Sequence, residues 1–403
     1  MSQQTPIRTL LFSTLYPSSV RPGHGIFVET RLRELLGSGH VQTKVVAPVP
    51  WFFSAHPRYG NYAHLASTPR RETLHGIDVQ HPRYPLLPKV GMNIAPFTLA
   101  MGAMPAVQRL LDEGFDFDVI DAHYYYPDGV AAALLARHFN KPFVVTARGS
   151  DINLIATYVI PRHLMRWASR RACSSIAVSQ ALAHSMAKIG MPSARLLTIR
   201  NGVDLKRFHI RPQAASRTRL SWPAQPTLLS VGNLVENKGH HIAIEALCRL
   251  PGFHLVIAGA GPDREALEDL AGKLQVTARV RFLGWVDQEQ LADCYAAADI
   301  LILLSSREGW PNVLLESMAC GTPVVATSVG GVPEILISPS AGRLLAERSV
   351  DDVVVAVTEL WRNLPSRMEV LSNAECSDWQ HTTDAQLSLF SQIKARALEP
   401  AHA

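Results

Sequence analysis

The chain has 403 residues, 47% hydrophobic and 18% charged, with a formal net charge of +5. This length predicts two or three domains, and so ordinary an apolar fraction excludes wholesale disorder. The charge is uneven: residues 1–200 hold 21 Lys+Arg against 11 Asp+Glu, and residues 201–403 hold 18 against 23, so the first half is the one suited to an anionic partner.

The five cysteines, Cys173, Cys248, Cys294, Cys320 and Cys376, are scattered, with no CxxC pair. That spacing excludes a disulfide framework or zinc site and suits a reducing, cytoplasmic compartment. Residues 1–15 lack a basic stretch followed by a long apolar one, so no signal peptide is expected.

In chain order, Thr9–Ser13 reads as a first strand, Glu29–Leu36 as the helix after it, and Val41–Ala47 as a second strand. Segments 50–90 and 210–226 are Pro-rich and read as irregular. Val90–Val107 carries no charge over 18 residues, the lower limit for a membrane span, but contains Pro96, Pro105, Gly91 and Gly102. Ile94, Phe97, Met101 and Met104 fall at helical spacing, which predicts a packed or interfacial helix with those four on its apolar face. Strands follow at Asp118–Ala122, Pro142–Thr146 and Ser175–Val178, with a helix at Gly129–Arg137. Arg162, Arg166, Trp167, Arg170 and Arg171 form a basic helical cluster, which reads as a solvated face or as a surface for anionic lipid. No nucleic-acid module is recognisable, so nucleic acid is not an expected partner.

After Asn201 the rhythm restarts. Strands are predicted at Thr227–Val231, His254–Ala258, Val280–Leu283, Ile300–Leu304 and Val324–Thr327. Helices are predicted at His240–Arg249, Asp263–Leu274, Gln288–Ala297 and Asn312–Cys320, with a last one near Leu387–Ile393. Val/Ile/Leu-rich strands alternating with helices predict buried parallel sheets, and the restart predicts two of them, joined by a hinge at residues 199–208.

Ligands of open parallel sheets bind at the loops past the strand C-termini. Past the first strand lie Arg21, Gly23, His24 and Gly25; two glycines there let backbone amides approach a phosphate or sugar, or simply make a tight turn. Past Val231 come Gly232, Asn233, Lys238 and Gly239, which place a lysine beside helix-start amides, a good anion site outside the P-loop order. Past Leu304, Glu308 lies in the loop and Glu316 about one turn into a helix opened by Pro311 and Asn312. Carboxylates there stabilise the helix dipole, or accept hydrogen bonds from sugar diols. Asp116-Phe117-Asp118 has the DxD spacing of a divalent-ion site but sits at the approach to a strand, where solvated carboxylates are the plainer reading. His240-His241 has no third ligand nearby, so no metal is expected.

Glu308-x7-Glu316, Gly321-Thr322-Pro323 and Gly330-Gly331-x-Pro333-Glu334 resemble the signature of group 1 (family 4) retaining glycosyltransferases. Val178-Ser179, Asn201-Gly202-Val203-Asp204, Gly232 to Lys238-Gly239, Gly259-x-Gly261-Pro262 and Phe282-x-Gly284 extend the resemblance over most of the chain, in order. The resemblance implies a GT-B fold: two Rossmann-like doubly wound parallel-sheet domains facing a central cleft. It implies an acceptor-side domain at 1–200, a nucleotide-sugar domain at 201–375, and a segment 376–403 whose helix crosses back to the first domain. Glu308, His123 and Lys238 are implied as catalytic: Glu308 and His123 at the transferred sugar, Lys238 at the leaving diphosphate. Donor-binding roles fall to Glu316 at the ribose, Gly309 through backbone amides, Gly284 and Val286 beside the base, Asn233 in the diphosphate loop, and Gly23, Gly25 and Arg148 in the first domain. Asn233 stands where the family usually has arginine, and Arg148 where it usually has histidine; Arg148, Arg21 or Arg307 could supply the missing charge.

The expected reaction moves a sugar from a nucleoside-diphosphate sugar to an acceptor hydroxyl with retention, metal-independent and without cofactor. The expected context is exopolysaccharide, lipopolysaccharide or glycolipid assembly. A lipid-linked or oligosaccharide acceptor is expected, with peripheral contact at the inner face of the cell membrane. Two other readings stay open: another GT-B enzyme such as a nucleotide-sugar epimerase, and an inactive nucleotide-sugar-binding protein of an assembly complex.

Overall fold

A computed structural model describes residues 6–86 and 91–398. The chain forms two compact units, one of residues 1–200 with 380–403 and one of residues 201–379.

The first unit contains β1 (Ile7–Phe12), β2 (Val41–Val46), β3 (Val49–Pro50), β4 (Arg71–Leu74), β5 (Ile77–Gln80), β6 (Arg83–Tyr84), β7 (Val119–His123), β8 (Phe143–Ala147), β9 (Ser174–Ala177) and β10 (Leu196–Thr198). Eight of these form one sheet in the order β10-β9-β8-β7-β1-β2-β5-β4. Every pairing in it is parallel except the β4–β5 hairpin. β7 and β8 are buried along their whole length, which is why they read as unbroken apolar runs. One core cluster gathers Leu11, Val45 and Val79 with Val28 and Leu32 of the Ile26–Gly37 helix. Another gathers Ile7, Val119, Val144 and Ile176 with Phe390 and Ile393 of the Trp379–Leu398 helix.

Within segment 50–90, the described residues 50–86 are more ordered than their composition predicts. β5 extends the main sheet, and β4 turns into it through His75 and Gly76, both at positive φ (49° and 79°), as a two-residue hairpin turn requires. Four-residue strands between prolines carry too little periodicity to be read. Within 210–226, Gln213–Leu220 is likewise a helix.

The uncharged segment is a helix, Gly91–Asp112, long and apolar enough by length and composition to cross a membrane; Val90, its predicted first residue, lies outside the described residues. The face that packs is a different one from the Ile94, Phe97, Met101 and Met104 stripe. Ala95, Leu99, Ala103, Val107 and Leu110 are buried, whereas Phe97 is 43% and Met101 70% exposed. Small residues let this helix pack closely: a Cβ on Gly102 would lie 2.5 Å from the Arg83 carbonyl oxygen. Pro96 cannot donate to the Met92 carbonyl, and the Tyr126 hydroxyl donates to it instead at 2.5 Å.

The second unit contains β11 (Thr227–Val231), β12 (His254–Ala258), β13 (Val280–Gly284), β14 (Ile300–Leu303), β15 (Val324–Thr327) and β16 (Gly342–Leu345). All pair in parallel, in the order β13-β12-β11-β14-β15-β16. Leu228, Leu255, Ile257, Ile300 and Ile302 share one core with Ile244 and Leu247 of the His240–Leu247 helix and Val357 and Leu360 of the Val350–Arg362 helix.

Candidate active site

In each unit the strand order reverses beside the first strand, between β7 and β1 and between β11 and β14. Loops leaving the C-terminal ends of two such strands part there and leave room for a ligand.

In the second unit those loops are tied by the Ser306 N–H, which donates to the Asn237 carbonyl at 2.8 Å, and by an ion pair. Lys238 Nζ lies 2.6 Å from Glu308 Oε1, and the Ser305 hydroxyl donates to the same oxygen at 2.7 Å. Lys238 reaches this point because Gly239, at φ 73°, closes the turn that opens the His240–Leu247 helix. The lysine loop is braced by His240, a residue the sequence reading passed over as a metal ligand only. Its Nε2 donates to the Asn233 carbonyl (3.2 Å), while the Ser230 hydroxyl donates to Nδ1 (2.9 Å). Burial lowers its pKa to about 4, so it stays neutral and keeps both bonds. Asn233 itself is exposed.

Glu308 is held from behind by the Gly330-Gly331 segment. A Cβ on Gly330, which has φ 53°, would lie 1.9 Å from the Glu308 carbonyl oxygen. Gly330 of the motif therefore serves backbone packing against the Glu308 peptide. Gly309 follows Glu308 and is buried; the Trp310 indole N–H donates to the Asn201 carbonyl at 3.0 Å.

Glu316 is half-buried on the Asn312–Ala319 helix, where the Tyr295 hydroxyl donates to its Oε2 at 2.8 Å. Burial outweighs that bond and the nearby Arg207 charge and pushes the carboxyl up to about 7. Gly284 ends β13 at φ 73°, its carbonyl accepting from Gly259 N–H at 2.7 Å, with half-buried Val286 two residues on.

In the first unit the structure joins His123 and Arg148. The Arg148 guanidinium donates to His123 Nδ1 at 2.5 Å, and His123 Nε2 lies 3.3 Å from Asp121. Burial lowers the histidine to about 4 and the arginine to about 9. Fully buried Arg31 also faces Asp121. Both His123 ring nitrogens are thus engaged by protein groups.

Asp128, also missed, ties the β1 loop to the β7 loop. It accepts from Thr14 N–H (2.6 Å), the Thr14 hydroxyl (2.9 Å) and the Ser13 hydroxyl (3.2 Å). Its burial pushes the carboxyl up to about 7 despite those donors. Tyr-Pro-Asp-Gly reads as a turn, and nothing local in it shows that the carboxylate faces a loop over a hundred residues away. Gly23 is exposed on the β1 loop. Gly25 is buried at φ 70°, where a Cβ would lie 2.3 Å from the Leu15 carbonyl carbon; the loop's own packing requires glycine there.

The remaining candidates lie elsewhere. Asp116 pairs with Lys141 (2.5 Å), and Asp118 with Lys394 (3.0 Å) and Arg8 N–H (2.8 Å), at the N-terminal end of β7, opposite the ligand loops. Arg307 is exposed on the loop preceding Glu308.

Comparison with known proteins shows the family of the chain. The family described as "Glycosyl transferases group 1" matches residues 214–375, and that described as "Glycosyltransferase Family 4" matches residues 39–207. TuaC of Bacillus subtilis (strain 168), which carries the name of a teichuronic acid biosynthesis glycosyltransferase, is 32% identical over 85% of this chain and 88% of its own. The glycogen synthase of Mycobacterium tuberculosis is 32% identical over 77% and 78%. Among solved structures, sucrose-phosphate synthase from Thermosynechococcus elongatus superposes with TM-score 0.81 at 19% identity, covering 97% of this chain and 100% of that one. HepE of Anabaena in complex with UDP and glucose superposes with TM-score 0.73 at 20% identity, covering 96% and 100%. These likenesses place the fold in the GT-B class.

Proposed function

Because the chain belongs to the group 1 (family 4) glycosyltransferases, we propose that it transfers a sugar from a nucleoside-diphosphate donor to an acceptor hydroxyl, with retention and without a metal ion. The observation that carries this reading is the Lys238–Glu308 pair at the strand-order reversal of the second unit. A diphosphate arriving there takes the lysine charge, and the released carboxylate becomes an acceptor for the hydroxyls of the transferred sugar. Glu316 accepts from the ribose, Gly309 adds amide contacts, and Gly284 and Val286 border the base. Asn233 contacts the diphosphate through its loop. Within the first unit, Arg148, bonded to His123, carries positive charge, and Gly23 lies on the same unit's β1 loop. In the retaining reaction the leaving phosphate stays on the face the acceptor enters and takes up its proton. UDP bound to HepE and the polymer named for TuaC support a nucleotide-sugar donor and a polysaccharide or glycolipid product.

The test is a panel of UDP-, GDP- and ADP-sugars, read by thermal stabilisation and turnover, with the anomer of the product assigned by NMR. Stabilisation by one nucleotide series, turnover that survives EDTA and a retained anomer are expected. Turnover abolished by EDTA and restored by manganese would return Asp116 and Asp118 to consideration, and isomerised donor without transfer would make the protein an epimerase.

We further propose that the first unit rests on the cytoplasmic face of an anionic membrane. The Val159–Ser169 helix exposes Val159 (60%) and Ile160 (49%) at its start, with Tyr158 just before it and exposed Arg170 and Arg171 just after it. Each cation near such a leaflet contributes about 1 kcal/mol. Arg170→Glu with Arg171→Glu should abolish co-sedimentation with phosphatidylglycerol vesicles at low salt and leave UDP affinity unchanged. Absence of vesicle binding by the wild type removes the proposal.

A further inference from the structure

We propose that Arg21 and His24, on the loop after β1, are the recognition pair for the acceptor: Arg21 holds an anionic group, and Nδ1 of His24 takes a hydrogen bond from the hydroxyl beside it. The inference rests on the glycosyl-transfer reading and names the acceptor's chemical class: a sugar or polyol bearing a phosphate or a carboxylate.

The loop is built before any ligand arrives. Asp128 pins its start through Thr14. Ser18 and Arg21 exchange backbone hydrogen bonds (3.3 and 3.0 Å), Glu72 accepts from Ser19 N–H (3.2 Å), and His24 N–H donates to the Arg21 carbonyl (3.1 Å). Gly25 seats the end of the loop against Leu15. Side chains on such a frame are pre-oriented, which lowers the entropy cost of binding.

His24 has a defined tautomer. Its Nε2 lies 3.1 Å from the Thr14 carbonyl oxygen, which can only accept, so Nε2 carries the hydrogen and Nδ1 presents a lone pair. Nδ1 bonds to none of the described residues and is not sealed from solvent. Burial and the neighbouring Arg21 charge lower the imidazole to about 4, so it is neutral at physiological pH.

Arg21 is a half-buried cation without a counter-ion. Its Nε is sealed from solvent and unpartnered, and no carboxylate among the described residues pairs with it. The titratable groups nearest in effect are His24 and the Tyr84 hydroxyl, both neutral at pH 7. Arg31 and Arg148 differ, because their charges face Asp121. A cation withdrawn from water and left unpaired is costly, and a ligand anion removes that cost.

The pair together selects the ligand. A diphosphate offers only acceptor oxygens, which satisfy Arg21 and oppose the His24 lone pair. A ligand with an anion and a neighbouring hydroxyl satisfies both.

The test uses the full chain saturated with UDP. Binding of glucose 6-phosphate, glucuronate and glucose is measured by calorimetry, and ¹⁵N-histidine NMR follows the His24 Nδ1 signal, assigned by its loss in His24→Gln. At least one anionic probe should bind about tenfold or more tighter than glucose, and which one does identifies the anion. That preference should vanish in Arg21→Gln, and the Nδ1 signal should shift upfield on binding to the wild type. No anionic preference, or an unmoved Nδ1, overturns the proposal. So does a tenfold loss of UDP affinity in Arg21→Gln, which would assign the arginine to the donor. The glycosyl-transfer reading fails separately, by absence of nucleotide binding to the wild type.

Discussion

Lys238→Ala is expected to lower glycosyl transfer by about 10²–10³-fold, the effect of removing one preorganised group from a site of developing negative charge. In the proposed reaction the leaving diphosphate gains charge as the glycosidic bond breaks, and Asn233 in the same loop offers no cation. The same substitution also strips the Glu308 carboxylate, 11% exposed, of its 2.6 Å cationic partner. Stability should therefore fall as well, by about 1–2 kcal/mol for a pair this covered. A second variant separates the two effects. Lys238→Met with Glu308→Gln removes both charges, so urea unfolding should return toward wild type while turnover stays low. Recovery of turnover with stability would show that the lysine acts only as a structural partner.

Glu316 predicts a pH-dependent nucleotide affinity. Burial pushes its carboxyl up to about 7, against 4.5 ordinarily. A raised folded pKa means the folded state holds an extra proton between about 4.5 and 7. The stability this gives is present below 4.5 and is lost as pH rises through 7. Binding has the opposite sign, because a ribose diol donates two hydrogen bonds and the ionised carboxylate accepts both. With about nine-tenths protonated at pH 6 and nine-tenths ionised at pH 8, UDP affinity should rise about tenfold between them. Glu316→Gln should bind more weakly, by about 1–3 kcal/mol, and lack this component. The nucleotide's own phosphate titration is common to both proteins and cancels in the comparison. Equal pH profiles for the two proteins would remove Glu316 from the ribose.

The motif residues were legible because each marks a strand end. Gly232, Gly259 and Gly284 follow or close parallel strands, and Glu308 and Glu316 bracket a strand-to-helix turn. What the motifs do could not be read in the same way. Gly330-Gly331 enters the sequence reading only as part of a signature, and the folded chain shows the Gly330 backbone packed against the Glu308 peptide. His240 carries no expected metal and no other role in the sequence reading, yet it props the lysine loop. Asp128 shows nothing, because its partners Ser13 and Thr14 are brought to it by the pairing of β1 with β7.

The sequence by itself determined the alternation of apolar strands and helices, the restart after Asn201, and the order of glycines and carboxylates along the chain. Those are local properties: side-chain periodicity, chain-breaking residues and short spacings follow from the backbone geometry of each segment. The Gly91–Asp112 helix shows the limit, since spacing found an apolar stripe at Ile94, Phe97, Met101 and Met104, while burial fell to the small-residue face that lies close to β6. Which of two apolar faces is covered depends on how closely backbones can approach, and that is settled by the neighbour. The same holds for charge. Only the folded chain decides that Lys238 meets Glu308, that Arg148 meets His123, and that Arg21 meets no carboxylate among the described residues, because the partners lie on loops that sheet order, rather than sequence proximity, brings together.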